Sequence, residues 1–212
     1  QEIQEAGPIH MASCRNRDDQ AVGYVVYTVR NDKVGHVARS QEIEIRDLVW
    51  LDIDAYRSLW AFLARHDLVG RIVWRSAAAD DPAEEMFAEP RMLHARDTEG
   101  VFFRVVDVEQ ALASRGYDSD EDVIVKIAAD RETPWNEGAY RLTVSNGIAQ
   151  VARTEQAADV ALTIKSLSSA FVGYRRVRQL ANWGLATGSD AAIARLDKLL
   201  ATRHRPHCPD HF

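Results

Sequence analysis

Alternation of polar and apolar residues in the first half of the chain predicts strands interleaved with helices. Residues 21–30 form an apolar run rich in Val and Tyr, and residues 41–50 alternate polar with apolar side chains. Both patterns are typical of strands, and we expect the two strands to pair. Residues 55–64 place apolar side chains at helical spacing, with Asp52 or Asp54 positioned to cap the helix.

Shorter elements follow up to residue 118. The pattern predicts a strand over 71–74 and a helix that Asp81-Pro82 opens and Pro90 ends. It also predicts a strand over 101–106 and a helix from Val108 to about Ser114, capped by Asp107. We therefore expect a mixed sheet with interleaved helices in residues 1–118.

The order of elements changes after the acidic run at residues 117–122, which is typical of a connector. Asn146-Gly147 is a strong hairpin signal, because both residues accept positive φ. The elements predicted in this half are strands over 123–129, 139–144, 148–153 and 160–164, followed by helices over 166–172, 177–183 and 189–200. Strands followed by helices favour an α+β sandwich in residues 119–212, with helices covering one face of a mainly antiparallel sheet.

Composition and charge exclude several classes of protein. Hydrophobic residues make up 46% and charged residues 27%, as in globular proteins, and no apolar stretch is long enough for a membrane helix. Cys14 and Cys208 are far apart, which argues against a disulfide scaffold and fits a cytoplasmic location. The first 120 residues carry 14 Lys and Arg against 22 Asp and Glu. Because an acidic surface repels phosphate, we expect no nucleic-acid partner, and the lack of a long apolar stretch leads us to expect no membrane partner.

No motif for binding a phosphorylated cofactor is present in the chain. An acetyl-CoA site of the GNAT type needs a loop of the form Arg/Gln-x-x-Gly-x-Gly/Ala at the start of a helix, where free amides hold the pyrophosphate. The nearest approach, Gln179 to Ala186, has Gly184 at the wrong offset and follows a helical pattern rather than a strand. We do not expect this chain to bind acetyl-CoA.

The C-terminal tail contains several groups that could bind a metal ion or act as a base. Imidazoles, a thiol and a carboxylate could bind zinc, although their spacing matches no zinc module and we expect no metal. These groups belong to His204, His207, Cys208, Asp210 and His211. The α-carboxylate of Phe212 is a weak base that burial would strengthen, whereas a frayed end is the usual fate of terminal residues.

Two further features have ordinary structural interpretations. Trp135 lies beside a predicted strand, and we expect it to pack in the core rather than line a ligand pocket. The basic cluster Arg175-Arg176-x-Arg178 is typical of a solvated helix face, and we assign it no role.

Several short motifs, taken in order, resemble the Eis (enhanced intracellular survival) family of acetyltransferases. The central region of that family is similar to Asp81-Pro82, Glu89-Pro90-Arg91, Phe103 to Val108 and Ala111-Leu112-x-x-Arg115-x-Tyr117. Its last domain is similar to Pro134-Trp135-Asn136-x-Gly138, Leu180-Ala181-x-x-Gly184 and the terminal Phe. The resemblance covers essentially the whole chain and rests on the order and spacing of these motifs.

The resemblance implies a protein of three parts. An N-terminal GNAT domain binds acetyl-CoA, a central GNAT-like domain lacks the cofactor, and a last domain is similar to sterol carrier proteins. This chain matches only the last two, and its start at Gln1 rather than Met leads us to expect a preceding segment. Homo-oligomers, commonly hexamers, are also implied.

The resemblance assigns roles to particular residues. The C-terminal carboxylate, here that of Phe212, acts as general base on the substrate amine, and a Tyr of the N-terminal domain acts as general acid. Tyr117 lines the substrate pocket together with an acidic residue, here Asp97 or Glu99. His211 stands where some relatives have Glu, which weakens the case for polycationic amines such as aminoglycosides.

The leading hypothesis is therefore an acetyl-CoA-dependent amine N-acetyltransferase, of which this chain supplies a pocket wall and the base. Two alternatives remain open at this point. The second half could bind an apolar ligand between its sheet and helices, as a sterol-carrier-type module. The chain could also serve mainly in oligomer contacts.

Overall fold

Two units make up the computed structural model, which describes residues 7–31 and 41–209. The first unit runs to Ala77 and the second from Ala78 to Cys208. Each has its own sheet containing both parallel and antiparallel pairs, and the predicted α+β class is confirmed. Among the described residues, no helix has the length and apolar character of a membrane-spanning segment.

The first unit is a four-stranded sheet with one helix. Its elements are β1 (Ile9–Arg15), β2 (Ala21–Asn31), β3 (Gln41–Trp50), α1 (Ile53–Leu63) and β4 (Val69–Trp74), with strand order β1-β2-β3-β4. The predicted antiparallel pairing of β2 with β3 is confirmed, and β4 joins β3 in parallel. A parallel neighbour requires a crossover, which α1 provides. The pattern of polar and apolar residues did not predict β1.

Helix α1 covers one face of this sheet. Asp52 caps it by accepting a hydrogen bond from the Ala55 N–H at 2.7 Å, as predicted. A Cβ added at Gly23 of β2 would lie 2.9 Å from the Val49 carbonyl oxygen and 3.2 Å from Leu59 Cδ1, so glycine permits the close approach of the helix. The buried contact face consists of Val25, Tyr27, Ile43, Ile45, Ala55, Tyr56, Leu59 and Leu63.

The opposite face of β3 carries two buried carboxylates. The side chains of Glu42 and Glu44 are 4% and 9% exposed. Arg30 lies between them, with its Nη2 atom 3.2 Å from Glu42 Oε1 and 2.6 Å from Glu44 Oε2. Arg71 donates from Nε to Glu42 Oε2 at 2.6 Å. The arginines supply the opposite charge that buried carboxylates require.

The second unit is a five-stranded sheet with helices, ordered β7-β6-β5-β8-β9. Asn146 and Gly147, with φ of 53° and 76°, form the predicted turn between β6 and β7. Its strands are β5 (Glu121–Ile127), β6 (Gly138–Ser145), β7 (Ile148–Thr154), β8 (Val160–Leu162) and β9 (Ala186–Gly188). Its helices are α2 (Ala83–Met86), α3 (Val108–Ser114), α4 (Ile164–Phe171), α5 (Val177–Asn182) and α6 (Asp190–Leu199).

The helices bury one face of the second sheet, as the pattern of strands followed by helices predicts. Alternate residues of β5 and β6 point into this core, whereas Asp122 and Arg141 pair on the other face. The core is filled from both layers by side chains that are at most 1% exposed, including Val123, Val125, Ile127, Tyr140, Leu142, Ile164, Leu167 and Leu196. Val108 and Leu112 of α3 belong to this core too, ahead of the boundary predicted at residue 118, and the boundary stays a prediction.

The strand predicted over residues 101–106 does not form. Its backbone groups bond to side chains instead of a neighbouring strand: Val105 N–H donates to Ser168 Oγ at 2.9 Å, and the Val106 carbonyl accepts from Asn136 Nδ2 at 2.8 Å. Only Val105 is buried, while Phe102 is 86% exposed. The prediction was wrong because β propensity reflects how well side chains fit a pleated sheet. It does not show whether a neighbouring strand is available to pair with the segment.

Two other predictions need correction. The helix expected between Asp81-Pro82 and Pro90 spans only Ala83–Met86, because Phe87 adopts an extended backbone. Trp135 is 56% exposed rather than packed in the core; its Nε1–H donates to the Val106 carbonyl at 2.8 Å. The indole is therefore used as a hydrogen-bond donor at the surface, in a 3₁₀ turn over Pro134–Asn136.

Candidate functional site

Tyr117, the predicted pocket residue, is fixed in the core of the second unit. Its ring is 8% exposed and its hydroxyl donates to the Leu112 carbonyl, at the end of α3, at 2.7 Å. Burial raises the pKa of the Tyr117 hydroxyl to about 12, although the nearby Arg115 charge acts in the opposite direction. The phenol is therefore neutral at physiological pH and is not an acid–base group in this arrangement.

Arg115 lies beside Tyr117 and connects it to the end of α6. Its guanidinium carbon is 5.6 Å from the centroid of the Tyr117 ring and 5.5 Å from that of Phe171. Nη2 donates to the carbonyls of Leu200 and Ala201, each at 3.1 Å. Burial lowers the pKa of Arg115, and Tyr117 acts against that shift. The cation satisfies carbonyls that the helix end leaves without an intrahelical partner.

The chain beyond α6 makes two further close contacts. A Cβ added at Gly173 would lie 1.9 Å from Thr202 Oγ1, so the tail passes directly against this glycine. The Arg205 backbone N–H donates to Asp80 Oδ2 at 3.0 Å, and His204 Nδ1 is 3.7 Å from the same oxygen. Residues 200–205 are thus held at three points of the second unit.

Asp97 and Glu99, the alternative acidic pocket residues, lie in the irregular segment after His94. Both are exposed. The Tyr117 hydroxyl already donates to Leu112, so no hydrogen bond from it joins either carboxylate. Among residues 7–31 and 41–209, no hydrogen bond joins Tyr117 to Asp97 or Glu99, and their roles in a substrate pocket stay predictions.

Asn136 explains the Pro-Trp-Asn-x-Gly motif in structural terms. It is 2% exposed, and its amide holds both backbone neighbours of Asp107: Nδ2 donates to the Val106 carbonyl at 2.8 Å, and Oδ1 accepts from the Val108 N–H at 3.1 Å. The side chain therefore fixes the start of α3. Buried amides require such hydrogen-bond partners, so Asn136 has a structural role rather than a catalytic one.

The segment nearest to a cofactor loop has the wrong geometry for an anion. Residues Val177–Asn182 form α5, and Gly184, with φ of 72°, follows its C-terminal end. A helix C-terminus presents carbonyl oxygens and a partial negative charge, which disfavour a pyrophosphate. These residues do not fit acetyl-CoA.

Two domain families match the chain one after the other. The family described as the acetyltransferase (GNAT) domain matches residues 1–105, and the one described as the sterol carrier protein domain matches residues 108–209. Eis1 from Mycobacterium abscessus, a solved structure, superposes over 91% of this chain and 50% of its own, with a TM-score of 0.71 and 30% identity. The chain belongs to the Eis family of GNAT acetyltransferases with a sterol-carrier-like domain.

Relatives of this Eis-family chain carry acetyltransferase names. A protein named as an uncharacterized N-acetyltransferase in Streptomyces avermitilis is 32% identical over 157 residues, 74% of this chain and 38% of its own length. N-acetyltransferase Eis of Mycobacterium tuberculosis is 26% identical over 184 residues, 85% of this chain and 42% of its own length. The chain thus spans about two fifths of the length of these curated relatives.

A second solved structure shares the fold. The GCN5-related N-acetyltransferase from Anabaena variabilis superposes over 95% of this chain and 50% of its own, with a TM-score of 0.74 and 22% identity. At that identity the likeness concerns the fold alone.

Two predicted site residues of the Eis-family tail, His211 and Phe212, lie outside the described residues. So does Asp210, one of the groups considered for zinc. Within residues 7–31 and 41–209, no three His, Cys, Asp or Glu side chains converge closely enough to hold a metal ion.

The basic cluster around Arg176 borders an open groove of about 720 Å³ between α5 and α6. Arg176 binds Asp197 through Nε at 3.0 Å and Nη2 at 2.6 Å, and the Arg178 N–H donates to Asp197 Oδ1 at 3.3 Å. Burial by itself would raise the pKa of Asp197, but these hydrogen bonds outweigh it and hold the pKa below its usual value. Arg176 is thus one half of a helix-to-helix ion pair rather than a simple solvated side chain.

Sequence reasoning missed Arg115 and Asp80 as tail contacts. The sequence presents Arg115 only as part of a family motif, and no pattern predicts a contact for Asp80. Nothing in their local sequence marks them, because their partners lie 85 and 125 residues away.

Proposed function

We propose that this chain is the part of an Eis-type amine N-acetyltransferase that supplies a wall of the acceptor pocket and the general base. The observation that carries the proposal is the consecutive match to a GNAT domain and a sterol carrier domain, together with the 30% identity to the Eis1 structure. Acetyl-CoA is then bound by sequence outside this chain. The unsuitable geometry at Gly184 supports this division of labour.

The α-carboxylate of Phe212 is the proposed base. It would take a proton from the acceptor amine as the nitrogen bonds to the acetyl carbon. The carbon–sulfur bond of the thioester would break, and the thiolate would leave with a proton from the general acid of the N-terminal domain. A terminal carboxyl has an ordinary pKa of about 3.3–3.7. Exclusion of water raises the pKa towards the range where a carboxylate accepts protons effectively. The mechanism therefore requires that the chain end be enclosed in the complete enzyme.

The acceptor is a primary amine in this proposal. Asp97 or Glu99 faces it, and Tyr117 contributes to the wall through its rigid packing. His211 in place of an acidic residue removes one negative charge beside the terminal carboxylate. We therefore expect monoamines to be better acceptors than polycations.

The position of the carboxylate can be tested in the full-length enzyme without altering its chemistry. Deletion of Phe212 moves the carboxylate back by one residue, and a one-glycine extension moves it forward. Both changes should lower kcat by about 100-fold or more, the usual range for loss of a general base. The matched control is Phe212→Ala, which keeps the carboxylate in place and should retain more activity than either.

Release of free thiol and the mass of the acetylated amine measure turnover in this experiment. Deletion or extension variants with unchanged kcat would refute the base. A separate calorimetric titration of the 212-residue chain with acetyl-CoA should detect no tight binding. A tight site would refute the proposal that acetyl-CoA is bound by sequence outside this chain.

The packing of the second unit bears on the alternative of an apolar-ligand module. Side chains from the sheet and helices fill the space where such a ligand would lie, including Ile127, Leu142, Leu167 and Leu196. A ligand would have to displace them, at a free energy of several kcal/mol. This favours the enzyme proposal, and solvent extraction with mass spectrometry tests it: a stoichiometric lipid would favour the alternative.

We also propose that the complete protein is a cytoplasmic homo-oligomer, a hexamer by its resemblance to the family. Light scattering of the full-length protein measures the assembly directly. A monomer at micromolar concentration would contradict this proposal and leave the base chemistry untouched.

A further inference from the structure

The groove between α5 and α6 has a charge opposite to that of the chain, whose formal net charge is −6. Six charged residues line it: the cations Arg176, Arg178, Arg195 and Lys198, and the carboxylates Glu121 and Asp197. Asp159, which pairs with Arg195 from outside the lining, still leaves an excess of positive charge. An open groove with this local charge attracts anions.

Both carboxylates of the groove are already bound to cations. Asp197 accepts hydrogen bonds from Nε and Nη2 of Arg176 at 3.0 and 2.6 Å. Glu121 Oε1 accepts from Lys198 Nζ at 2.9 Å. The excess charge therefore belongs to the remaining two arginines of the lining.

These two arginines keep hydrogen-bond donors that have no acceptor. Arg178 Nε is 3.6 Å from Asp197 Oδ2, too far for a hydrogen bond, and 66% of the Arg178 side chain is exposed. Arg195 Nη2 is 3.4 Å from Asp159 Oδ1, whereas Arg195 Nε is buried and has no hydrogen-bond partner within residues 7–31 and 41–209. A buried donor without an acceptor is unfavourable, and a bound anion would supply the acceptor.

We infer that the α5–α6 groove binds the phosphate group of a small soluble metabolite through Arg178, Arg195 and Gln179. A phosphate monoester carries a charge of about −1.5 to −2 and three strong acceptor oxygens. It can accept from two guanidiniums at once, and the planar guanidinium suits bidentate contacts to phosphate. Gln179 accepts the Arg176 N–H through Oε1 at 3.1 Å, which leaves its amide N–H groups as further donors. This site goes beyond the proposed function and does not depend on it.

The lining favours such a ligand over an apolar molecule or a carboxylate. Ala194 and Ala201 are the apolar members of the lining among the described residues, whereas sites for apolar ligands are mostly hydrophobic. A monocarboxylate carries only one negative charge and matches the excess less well. Because the groove is open, the bound ion stays partly hydrated, and we expect millimolar binding rather than a tight acetyl-CoA site.

NMR titration of the 212-residue chain with inorganic phosphate tests the groove, with the ionic strength held constant by chloride. The Arg195 Nε–H signal and the backbone amides of 176–179 and 194–198 should shift with one dissociation constant of about 1–10 mM. The Arg178→Gln/Arg195→Gln double variant should bind at least about tenfold more weakly, as expected for lost hydrogen bonds to a charged group. An unchanged dissociation constant in the double variant, or shifts that do not saturate, overturns the inference.

Two further variants keep this comparison decisive. Arg131→Gln removes an exposed arginine of the same unit that does not line the groove, and it should bind phosphate as the parent chain does. Circular dichroism shows whether the double variant folds. If it does not, Arg178→Gln alone, at an exposed side chain, should still weaken binding about threefold, and unchanged binding there overturns the inference.

Three other ligands identify the source of the phosphate. Glycerol 3-phosphate should bind at least as tightly as inorganic phosphate, and acetate about tenfold more weakly. Equal binding of acetate overturns the choice of phosphate. Phosphatidylcholine vesicles containing phosphatidic acid should not cosediment with the chain. Cosedimentation that the double variant abolishes would assign the groove to a lipid headgroup and overturn the soluble ligand.

Discussion

The two sheets of this Eis-family chain differ in the face that the helices do not cover. Each sheet is covered on one apolar face, by α1 in the first unit and by several helices in the second. In the first unit the other face of β3 buries Glu42 and Glu44 against arginines, with side chains 4% and 9% exposed. In the second unit the other face carries Asp122 and Arg141, which pair while 45% and 48% exposed.

This difference shows that the solvent exposure of an ion pair determines how much the pair contributes to the free energy of unfolding. A solvated pair gains little, because water already stabilises both charges. A buried carboxylate has lost that hydration, and its arginine neighbours must replace it. Acidic residues on the two faces should therefore respond very differently to substitution.

The apolar core of the second unit should show the largest effect. Leu142→Ala removes a side chain that is 0% exposed and leaves a cavity between sheet and helices, so we expect a loss of about 3–4 kcal/mol in the free energy of unfolding. Urea denaturation followed by circular dichroism measures this. Leu185→Ala, at a side chain 49% exposed, is the control and should cost less than about 1 kcal/mol. Equal losses would show that the core does not carry the stability.

The buried carboxylate of the first unit comes next. Glu42→Ala removes the acceptor of the Arg71 Nε donor and one of the two carboxylates beside Arg30, which keeps Glu44, and we expect a loss of about 2–3 kcal/mol, as for hydrogen bonds to a charged group. The matched substitution on the exposed face of the second sheet, Asp122→Ala, should leave the unfolding midpoint close to that of the unsubstituted chain. The contrast between the faces fails if both variants unfold at the same denaturant concentration.

The ion pair between α5 and α6 joins a buried carboxylate, Asp197 with 6% of its side chain exposed, to the half-exposed Arg176, and its contribution to stability should depend on pH. Asp197→Asn should lower stability at pH 7 by about 1–2 kcal/mol, as for hydrogen bonds to a charged group. The pKa of Asp197 is depressed in the folded chain, so its contribution is present above the unfolded pKa of about 3.9 and is lost as pH falls through the folded value.

Denaturation at several pH values tests that linkage. The stability difference between the parent chain and Asp197→Asn should stay constant from pH 5 to 8 and narrow below about pH 4. Asp120→Asn, at an exposed acid ahead of β5, serves as the control. A difference that does not change with pH would mean that the charge of Asp197 is not responsible.

Local signals predicted most of the fold. The alternation of residues 41–50 matches β3, and the Asn146-Gly147 turn forms with both φ values positive. Asp52 and Asp107 each cap a helix with a side-chain acceptor. These features involve neighbours within a few residues, so their physics is visible in sequence. The strand predicted over residues 101–106 does not form, because a strand needs a neighbouring strand and the local sequence does not show whether one is present.

The candidate site was less accessible to sequence reasoning. The resemblance identified the family, which the comparisons confirm, and it singled out Tyr117. It did not indicate that the Tyr117 hydroxyl donates a hydrogen bond to the Leu112 carbonyl. It also did not indicate that Arg115, beside Tyr117, donates to a carbonyl at the end of α6. Asp97 and Glu99 could not be distinguished by spacing, and both are exposed in the structure.

By itself, the sequence determined the class of fold, the helix caps, the hairpin turn and membership of the Eis family, because each depends on short-range patterns or on the order of motifs. Only the tertiary structure decided that Tyr117 is buried, that Glu42 and Glu44 share arginines, and that Asp80 holds the tail. These contacts join residues far apart along the chain, and the path of the chain in space determines which of them meet.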